Sequence, residues 1–263
     1  MKPWQIVRGF AFVRGPAYRG AVQDELSAPQ PGDERLCAVC HGPSGRGSTR
    51  CYQCDLHQQC APDSLADLVV PVAFAIKGSS HARMLWQYKS PRTDARVRTE
   101  AALTLRALLL GFLRDHGHCL WRAAGIAGPT HLAVVPTARG RPGPHPLRAL
   151  VDEHVAGPWA GLSARRGGEQ GGDQQVRDLD PARFRAAALP GARVLLLDDT
   201  WTTGSSAQSA AMALRGAGAS SIVTVVLGRH VGGAAADVAG LGPATTPFSP
   251  DRCAVHQDAA VGR

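Results

Sequence analysis

Short runs of apolar residues, bounded by glycine, proline or polar residues, recur along the chain and predict β-strands. They lie at 69–76, 131–135, 193–197 and 221–227. Runs that are apolar at almost every position, rather than at alternate ones, are typical of strands buried on both faces of a sheet. The pattern therefore predicts a parallel sheet that is covered by helices on both sides.

Stretches rich in alanine, leucine and arginine predict helices between these strands. The longest covers residues 93–115 and is expected to end at Gly117, and shorter helices are expected at 145–155 and 205–215. The last helix connects two apolar strands, which predicts a parallel βαβ unit. The glycine- and glutamine-rich stretch 164–175 is expected to be a loop.

The same pattern divides the chain into four parts. Residues 1–36 lack sustained periodicity and contain several glycines and prolines, so we expect a poorly ordered leader. Residues 37–60 hold five of the seven cysteines and are expected to form a small unit of their own. Residues 61–230 are predicted to be an α/β domain, and residues 231–263 an irregular C-terminal tail.

Length and composition fit a folded protein without a membrane anchor. The 263 residues, 44% hydrophobic and 19% charged, suffice for one ordinary domain with a small module. No apolar run approaches the length of a membrane span, and Arg8 and Arg14 interrupt the only apolar stretch near the N-terminus. We therefore expect neither a signal peptide nor membrane insertion, and a cytoplasmic location.

The chain is basic, with a net charge of +8. Of its 29 basic residues only three, Lys2, Lys77 and Lys89, are lysines. An excess of arginine beside abundant glycine and alanine indicates a compositional bias rather than a surface dedicated to nucleic acid. The charge makes the protein a suitable host for phosphates, but it does not choose between nucleic acid and a small metabolite.

Two Cys-x-x-Cys pairs, Cys37 with Cys40 and Cys51 with Cys54, are separated by ten residues. Each pair directs two sulfur atoms toward one point, and two pairs complete a tetrahedron of thiolates around zinc. A disulfide framework would require an oxidising compartment, for which the sequence shows no export signal. The spacing therefore predicts a structural Zn²⁺ site in a ribbon-like unit.

Other cysteines and histidines leave alternatives open. His57 and Cys60 continue the spacing of the second pair, so either could replace one of the four cysteines, although a helix that follows the pair explains both. Cys119 is interpreted as an ordinary buried thiol. Cys253 and His256 have the spacing of metal ligands but stand alone in the sequence.

The most informative segment is 194–206. A buried strand is followed by Asp198 and Asp199, then by small hydroxyl residues around Gly204, and then by a helix. In an open α/β sheet, ligands bind outside the carboxyl ends of the strands, and backbone N–H groups at a helix start attract phosphate. Two carboxylates beside a phosphate are repulsive unless they accept hydrogen bonds from hydroxyl groups or bind a metal. The pattern therefore suggests a ribose 5-phosphate.

This segment, with the run Asp198-Asp199-Thr200-Trp201-Thr202-Thr203-Gly204, resembles the motif with which type I phosphoribosyltransferases bind 5-phosphoribosyl 1-diphosphate (PRPP). Together with the cysteine pairs, the chain resembles the ComF/GntX family, and especially a branch from high-GC bacteria, over roughly residues 37–256. Further stretches that carry the resemblance are Lys77-Gly78, Leu85-Trp86, Tyr88-Lys89 and the run from Gly140 to Arg148.

The resemblance implies an α/β type I phosphoribosyltransferase fold, a parallel sheet flanked by helices, with a small N-terminal zinc-ribbon unit. It implies that Asp198 and Asp199 are the catalytic pair and hold the ribose hydroxyls. The substrate-binding residues that it implies are Thr200, Thr202, Thr203, Gly204, Ser205 and Ser206 for the ribose phosphate, and Pro136, Thr137, Ala138 and Arg139 for the diphosphate.

The function implied by the resemblance is displacement of diphosphate from PRPP, with Mg²⁺, by a nitrogenous acceptor that the sequence does not identify. The sequence departs from the family at Pro144–Arg148, and the closing loop between Gln175 and Arg183 is shortened. Two alternatives therefore stay open: a non-catalytic module that binds PRPP or a nucleotide, and a DNA-uptake accessory. Either would use the zinc ribbon to contact a protein or nucleic-acid partner, and a homodimer is also left open.

Overall fold

Four parallel strands form the central sheet of the computed structural model, which describes residues 5–6, 25–45, 47–137, 145–165 and 178–256. The strands are β1 (Leu68–Ile76), β2 (His131–Val134), β3 (Arg193–Trp201) and β4 (Ser221–Val231). Their order across the sheet is β1-β4-β3-β2, so the predicted unit of β3, helix and β4 lies at its centre. The predicted α/β class with a parallel sheet is confirmed.

Helices cover both faces of this sheet. They are α1 (Tyr52–Cys60), α2 (Ser80–Gln87), α3 (Ala95–Ala123), α4 (Pro146–Val151), α5 (Ser205–Gly216) and α6 (Gly233–Ala239). Alternate residues of β3 face opposite sides, since Leu195 and Leu197 pack in the core with α2, α3 and α4, whereas Val194 and Leu196 pack with α5 and the cysteine unit. Burial on both faces is the reason for the uniformly apolar strands.

Several short elements complete the described part of the chain. Two-residue strands pair antiparallel, Gln5–Ile6 with Val155–Ala156 and Ser163–Ala164 with Phe184–Arg185, and a 3₁₀ turn covers Pro181–Arg183. Most of the glycine-rich stretch that was predicted to be a loop, from residue 166 onward, lies outside the described residues. None of the described helices is both long and apolar enough to cross a membrane.

The long helix was predicted to end at Gly117, and this prediction is wrong. The helix begins after Asp94, whose carboxylate caps the N–H groups of Arg96 and Val97, and it continues through Gly117 to Ala123. A glycine inside a helix costs about 1 kcal/mol. Burial of a continuous apolar face on both sides of this position, including Leu113 and Leu120, offsets that cost.

Segments that were expected to be irregular cover the edge of the sheet. Leu26 is buried in the core, and the N–H of Phe74 in the edge strand β1 donates to the Ser27 carbonyl at 2.7 Å. The Phe248 N–H in turn donates to the Leu26 carbonyl at 3.0 Å. The expected leader and tail thus contribute ordered residues, which cover an edge that would otherwise expose unpaired backbone groups.

Candidate functional site

Asp198 and Asp199 lie near the carboxyl end of β3, the second strand in from one edge of the sheet. Because successive side chains of a strand point to opposite faces, the two carboxylates point away from each other and have different surroundings. The carboxyl end of β2 lies beside them, because Leu197 accepts a hydrogen bond from the Val135 N–H at 2.9 Å. Both acids therefore lie at the carboxyl edge of the sheet, where ligands bind in open α/β folds.

Asp199 is buried in an ionised network. The Lys89 ammonium donates to both carboxylate oxygens at 2.8 Å, and the Tyr88 hydroxyl donates to Oδ2 at 2.5 Å. Burial acts to raise the pKa of Asp199, but the Lys89 charge and the hydrogen bonds from Lys89, Tyr88 and Thr200 outweigh it, and the pKa is lowered. Asp199 is therefore ionised at neutral pH.

Asp198 is in the opposite situation. Burial, followed by the negative charge of Asp199, raises its pKa to about 7, although the Lys89 charge and backbone N–H groups act against the shift. Its Oδ1 accepts the Asp199 N–H at 2.8 Å. Near neutral pH the carboxyl of Asp198 is therefore only partly ionised, which is a common property of groups at functional sites.

Tyr88 and Lys89 directly follow helix α2, whose position brings them to the Asp199 carboxylate. The helix lies close against β4 because Gly228 has no side chain, and a Cβ atom there would collide with Leu85. Buried His81 fixes the same contact through a 3.0 Å hydrogen bond between its Nε2 and the Leu227 carbonyl. The sequence analysis did not predict that these residues meet Asp199.

The loop after β3 turns at Gly204, which has a φ of +85° and precedes the first turn of α5. A Cβ atom at this position would collide with the ring of Trp201, which is almost fully buried. Gly204 has no side chain with which to cap the helix, and the Ser205 N–H donates to Thr203 Oγ1 at 3.4 Å. Glycine is therefore required for both its backbone conformation and its close approach to the indole.

The hydroxyl groups of this loop are not equivalent. Ser205 is buried, and its Oγ lies 3.1 Å from Thr203 Oγ1 and 3.5 Å from Nε2 of His57, a residue of α1. The side chain of Thr202 is exposed, and those of Thr203 and Ser206 are partly exposed. The Ser205 side chain thus holds the loop to the cysteine unit, while its neighbours remain accessible to a ligand.

A cleft of about 510 Å³ opens at the carboxyl ends of β1, β3 and β4. Thr200 of β3, His230 of β4 and Lys77, directly after β1, line it, together with Trp86 of α2 and Lys89, two residues after that helix. Two of the three lysines of the chain therefore line one cleft. This volume and its cationic lining are suited to a small anionic ligand.

The candidate diphosphate loop is described only in part. Pro136 and Thr137 directly follow β2 at the same edge as Asp198. Ala138 and Arg139, for which the resemblance implies contact with diphosphate, lie outside the described residues, as do Gln174 and Gln175.

The four cysteines Cys37, Cys40, Cys51 and Cys54 converge, with all sulfur atoms within 4.8 Å of one another. A tetrahedral site with Zn–S bonds of about 2.3 Å separates its sulfurs by about 3.8 Å, and Cys40 and Cys51 are 3.8 Å apart. His57 and Cys60 lie in α1 outside this cluster. The donor set and spacing therefore suit a structural zinc ion.

The cysteine unit is not separate from the α/β domain. Cys37, Cys40 and Cys54 are buried in the same apolar cluster as Val69 of β1 and Trp201 at the end of β3. The unit thus packs on the face of the sheet that also carries α5. Its position directly beside the candidate phosphate loop was not predicted from the sequence.

Two solved structures, both of Mycobacterium tuberculosis H37Rv orotate phosphoribosyltransferase, are similar to the chain. The structure of its complex with inorganic phosphate has 17% sequence identity to this chain. The match covers 61% of this chain and 82% of that chain, with a TM-score of 0.34. The structure of its complex with PRPP also has 17% sequence identity to this chain. That match covers 58% of this chain and 87% of the other, with a TM-score of 0.30. Similarities of this size carry no conclusion about ligand or activity. No family model and no curated protein matches the sequence.

Proposed function

We propose that the chain is a PRPP-binding, phosphoribosyltransferase-like protein of the ComF/GntX type. The observation that carries the proposal is the Asp198-Asp199 pair near the carboxyl end of a buried parallel strand, which is followed by the turn at Gly204 and the start of α5. A cationic cleft of about 510 Å³ adjoins this strand end. Thr200 is the residue of this segment that lines the cleft, whereas the two acids and the loop 202–206 are not part of its lining.

In this proposal the two acids have different roles. Asp198 accepts hydrogen bonds from the ribose hydroxyls, because its described partners are backbone N–H groups, those of Asp199 and Thr200, and not a cation as for Asp199. Asp199 is a positioning residue that holds Lys89 at the cleft, since both of its oxygens already bind Lys89. The 5-phosphate lies against the N–H groups of residues 202–206 and the hydroxyls of Thr202, Thr203 and Ser206, whereas the hydroxyl of Ser205 is buried.

The proposed reaction is a displacement at C1 of PRPP. The bond from C1 to the diphosphate oxygen breaks, the diphosphate leaves with the electron pair, and a nitrogen of the acceptor bonds to C1 and loses its proton to the departing diphosphate. Positive charge develops on the sugar ring, where the carboxylate of Asp198 stabilises it, and Lys77, Lys89 and Arg139 offset the charge of the diphosphate. Mg²⁺ bound with PRPP supplies further neutralisation of this leaving group.

Zinc has a structural role in the proposal. Four thiolates fill a tetrahedral site and leave no open position for a substrate. Its expected effect is to fix α1 and the segment before it against the sheet, where His57 meets Ser205. The surface of this unit would also be the place where a protein or nucleic-acid partner binds.

A binding module without turnover is the second candidate. The shortened stretch between Gln175 and Arg183 favours it, because a loop that closes over the site normally excludes water from PRPP. Calorimetry with PRPP, with and without Mg²⁺, tests binding, and diphosphate release over a panel of nucleobases and amines tests turnover. Binding without release for any acceptor would support the module.

The carboxylate pair provides the direct test of the binding site. The double variant Asp198→Asn with Asp199→Asn should lose at least tenfold in PRPP affinity while it remains folded, because amides are weaker acceptors than carboxylates and no longer hold Lys89. A matched control is Asp63→Asn, which changes an exposed acid away from the site. Unchanged PRPP affinity in a well-folded double variant would refute the ribose assignment.

A further inference from the structure

A second cluster of cysteine and histidine side chains lies on the other face of the sheet. It consists of His116, Cys119, Cys253 and His256, and one ligand atom from each lies within 4.8 Å of the others. Three of these side chains are buried and His256 is partly exposed. Four soft or borderline donors within this distance are the usual set of a tetrahedral zinc site.

Two local turns bring the donors together. His116 and Cys119 are three residues apart on α3, so they lie on the same face of this helix. The helical conformation continues through Gly117, and an earlier end would have separated them. Cys253 and His256 belong to a tight turn, in which the His256 N–H donates to the Cys253 carbonyl at 2.9 Å.

The distances match those of a bound metal. Zinc with one sulfur at about 2.3 Å and one nitrogen at about 2.0 Å holds these two atoms about 3.5 Å apart in a tetrahedron. Cys119 Sγ lies 3.7 Å from His256 Nδ1. In the four-cysteine cluster, too, the 3.8 Å between two sulfur atoms agrees with the separation expected around zinc.

His116 is oriented as metal-binding histidines usually are. Its Nε2 lies 3.0 Å from the Pro250 carbonyl, which fixes the ring and requires the proton on this nitrogen. Its Nδ1 is buried and has no hydrogen-bond partner in the described part of the chain. A carbonyl on one ring nitrogen and a metal on the other is the common arrangement around zinc, and the metal would satisfy the orphan nitrogen.

The C-terminal segment also needs a source of stability. Residues 241–256 contain no helix or strand, yet Phe248 and Cys253 are buried against the core that includes α3. A long stretch without regular structure is uncommon in a folded domain unless something holds it. A metal ion between the segment and α3 would do so.

We propose that His116, Cys119, Cys253 and His256 bind a second, structural zinc ion, with His116 through Nδ1. The ion joins the end of α3 to the C-terminal segment. Since α3 returns the chain to the amino-terminal edge of the sheet before β2, the site lies far from the candidate phosphate loop. It is independent of the proposed PRPP binding.

Metal analysis and zinc absorption spectroscopy of the unmodified protein, purified without chelator, test this proposal. We expect two zinc ions per chain and an average ligand set of three sulfurs and one nitrogen, which is the mean of a four-sulfur and a two-sulfur, two-nitrogen site. One zinc with only sulfur ligands would overturn the proposal. One zinc with two sulfurs and two nitrogens would support it and would show the first site empty.

Single substitutions assign the ligands. Cys253→Ser and His256→Gln should each lose one equivalent of zinc, and the remaining ion should be bound by sulfur alone. Matched controls are Cys60→Ser, an exposed thiol, and His118→Ala, an exposed histidine on α3 that contacts Cys119. Both controls should keep two ions. Loss of zinc in His118→Ala would indicate that His118, and not one of the two proposed histidines, binds the ion. It would refute the proposed ligand set.

A disulfide between Cys119 and Cys253 is the main rival. It would lower the mass of the denatured protein by about 2 Da, and the two thiols would resist alkylation until a reductant is added. The zinc site predicts instead that they resist alkylation until a chelator is added, with no reductant required. The disulfide result, or rapid alkylation of both thiols in the untreated protein, would overturn the proposal.

Discussion

Arg229 joins the sulfur of Cys40 to the candidate phosphate loop. Its Nε lies 3.4 Å from Cys40 Sγ, and its Nη1 donates to the carbonyls of Trp201 and Thr202 at 3.1 Å each. The guanidinium is buried and reaches this position because Gly42 has no side chain that would collide with it. A charged side chain thus connects the four-cysteine cluster to the turn that is proposed to hold the 5-phosphate.

Loss of zinc from this cluster is therefore expected to weaken ligand binding, although no cysteine touches the ligand. Cys51→Ser should lose the ion and lower PRPP affinity by about one decade, on the order of 1.4 kcal/mol, because Arg229 then no longer fixes the loop carbonyls. Calorimetry with PRPP measures the loss, and Cys60→Ser is the control that should bind normally. Normal affinity in zinc-free Cys51→Ser would show that the connection has no functional effect.

The turn at Gly204 gives a second prediction. Gly204→Ala should destabilise the protein by about 1–3 kcal/mol, since alanine at a positive φ is strained and its methyl group collides with Trp201. Ribose 5-phosphate binding should be lost with it.

Gly216→Ala is the matched control for this substitution. Gly216 lies at the other end of the same helix, where a Cβ atom meets nothing within 4 Å. This variant should be neutral or stabilised by roughly 0.5–1 kcal/mol in a thermal or denaturant melt. Equal losses in the two variants would refute the special role of position 204.

Lys89 gives a third prediction. Lys89→Met leaves the buried Asp199 carboxylate beside Asp198 without its cation, and should cost about 2–3 kcal/mol of stability near pH 8. PRPP affinity should also fall. Lys77→Met removes the same charge from the cleft without touching Asp199, so it should weaken PRPP binding while leaving the melt unchanged. A stable Lys89→Met variant would contradict the assigned role of this ion pair.

The core of the fold could be predicted because a strand that is buried on both faces has apolar residues at consecutive positions. The runs at 193–197 and 221–227 show this pattern. The partner of Asp199 could not, since Lys89 lies 110 positions away and no periodicity connects them. One signal was available: the chain has only three lysines among 29 basic residues, and two of them line the cleft. The second cysteine–histidine cluster was missed because Cys119 was interpreted as an ordinary buried thiol and Cys253 with His256 as standing alone, and no periodicity connects Cys119 with His256, 137 positions later.

Arg139 gives a fourth prediction, which comes from the resemblance alone. Arg139→Ala should weaken PRPP far more than ribose 5-phosphate, because only PRPP carries the diphosphate. Loss of one charge-assisted, bidentate contact costs roughly 1.5–3 kcal/mol, or one to two decades in affinity. Paired titrations with the two ligands measure the difference. An equal loss for both would place Arg139 away from the diphosphate.

The raised pKa of Asp198, about 7, predicts how the stability of the ligand-free protein depends on pH. Between about pH 4 and pH 7 the folded state keeps a proton that the unfolded state has released, so the contribution of Asp198 to stability falls over this range and stays low above it. Asp198→Asn keeps the shape but cannot ionise. It should therefore stabilise the protein more at pH 8 than at pH 5, by on the order of 2–3 kcal/mol, in melts at the two pH values. Asp63→Asn, at an exposed acid, should show no such difference. An equal effect of Asp198→Asn at both pH values would mean that Asp198 is ionised throughout and that burial beside Asp199 does not hold its proton.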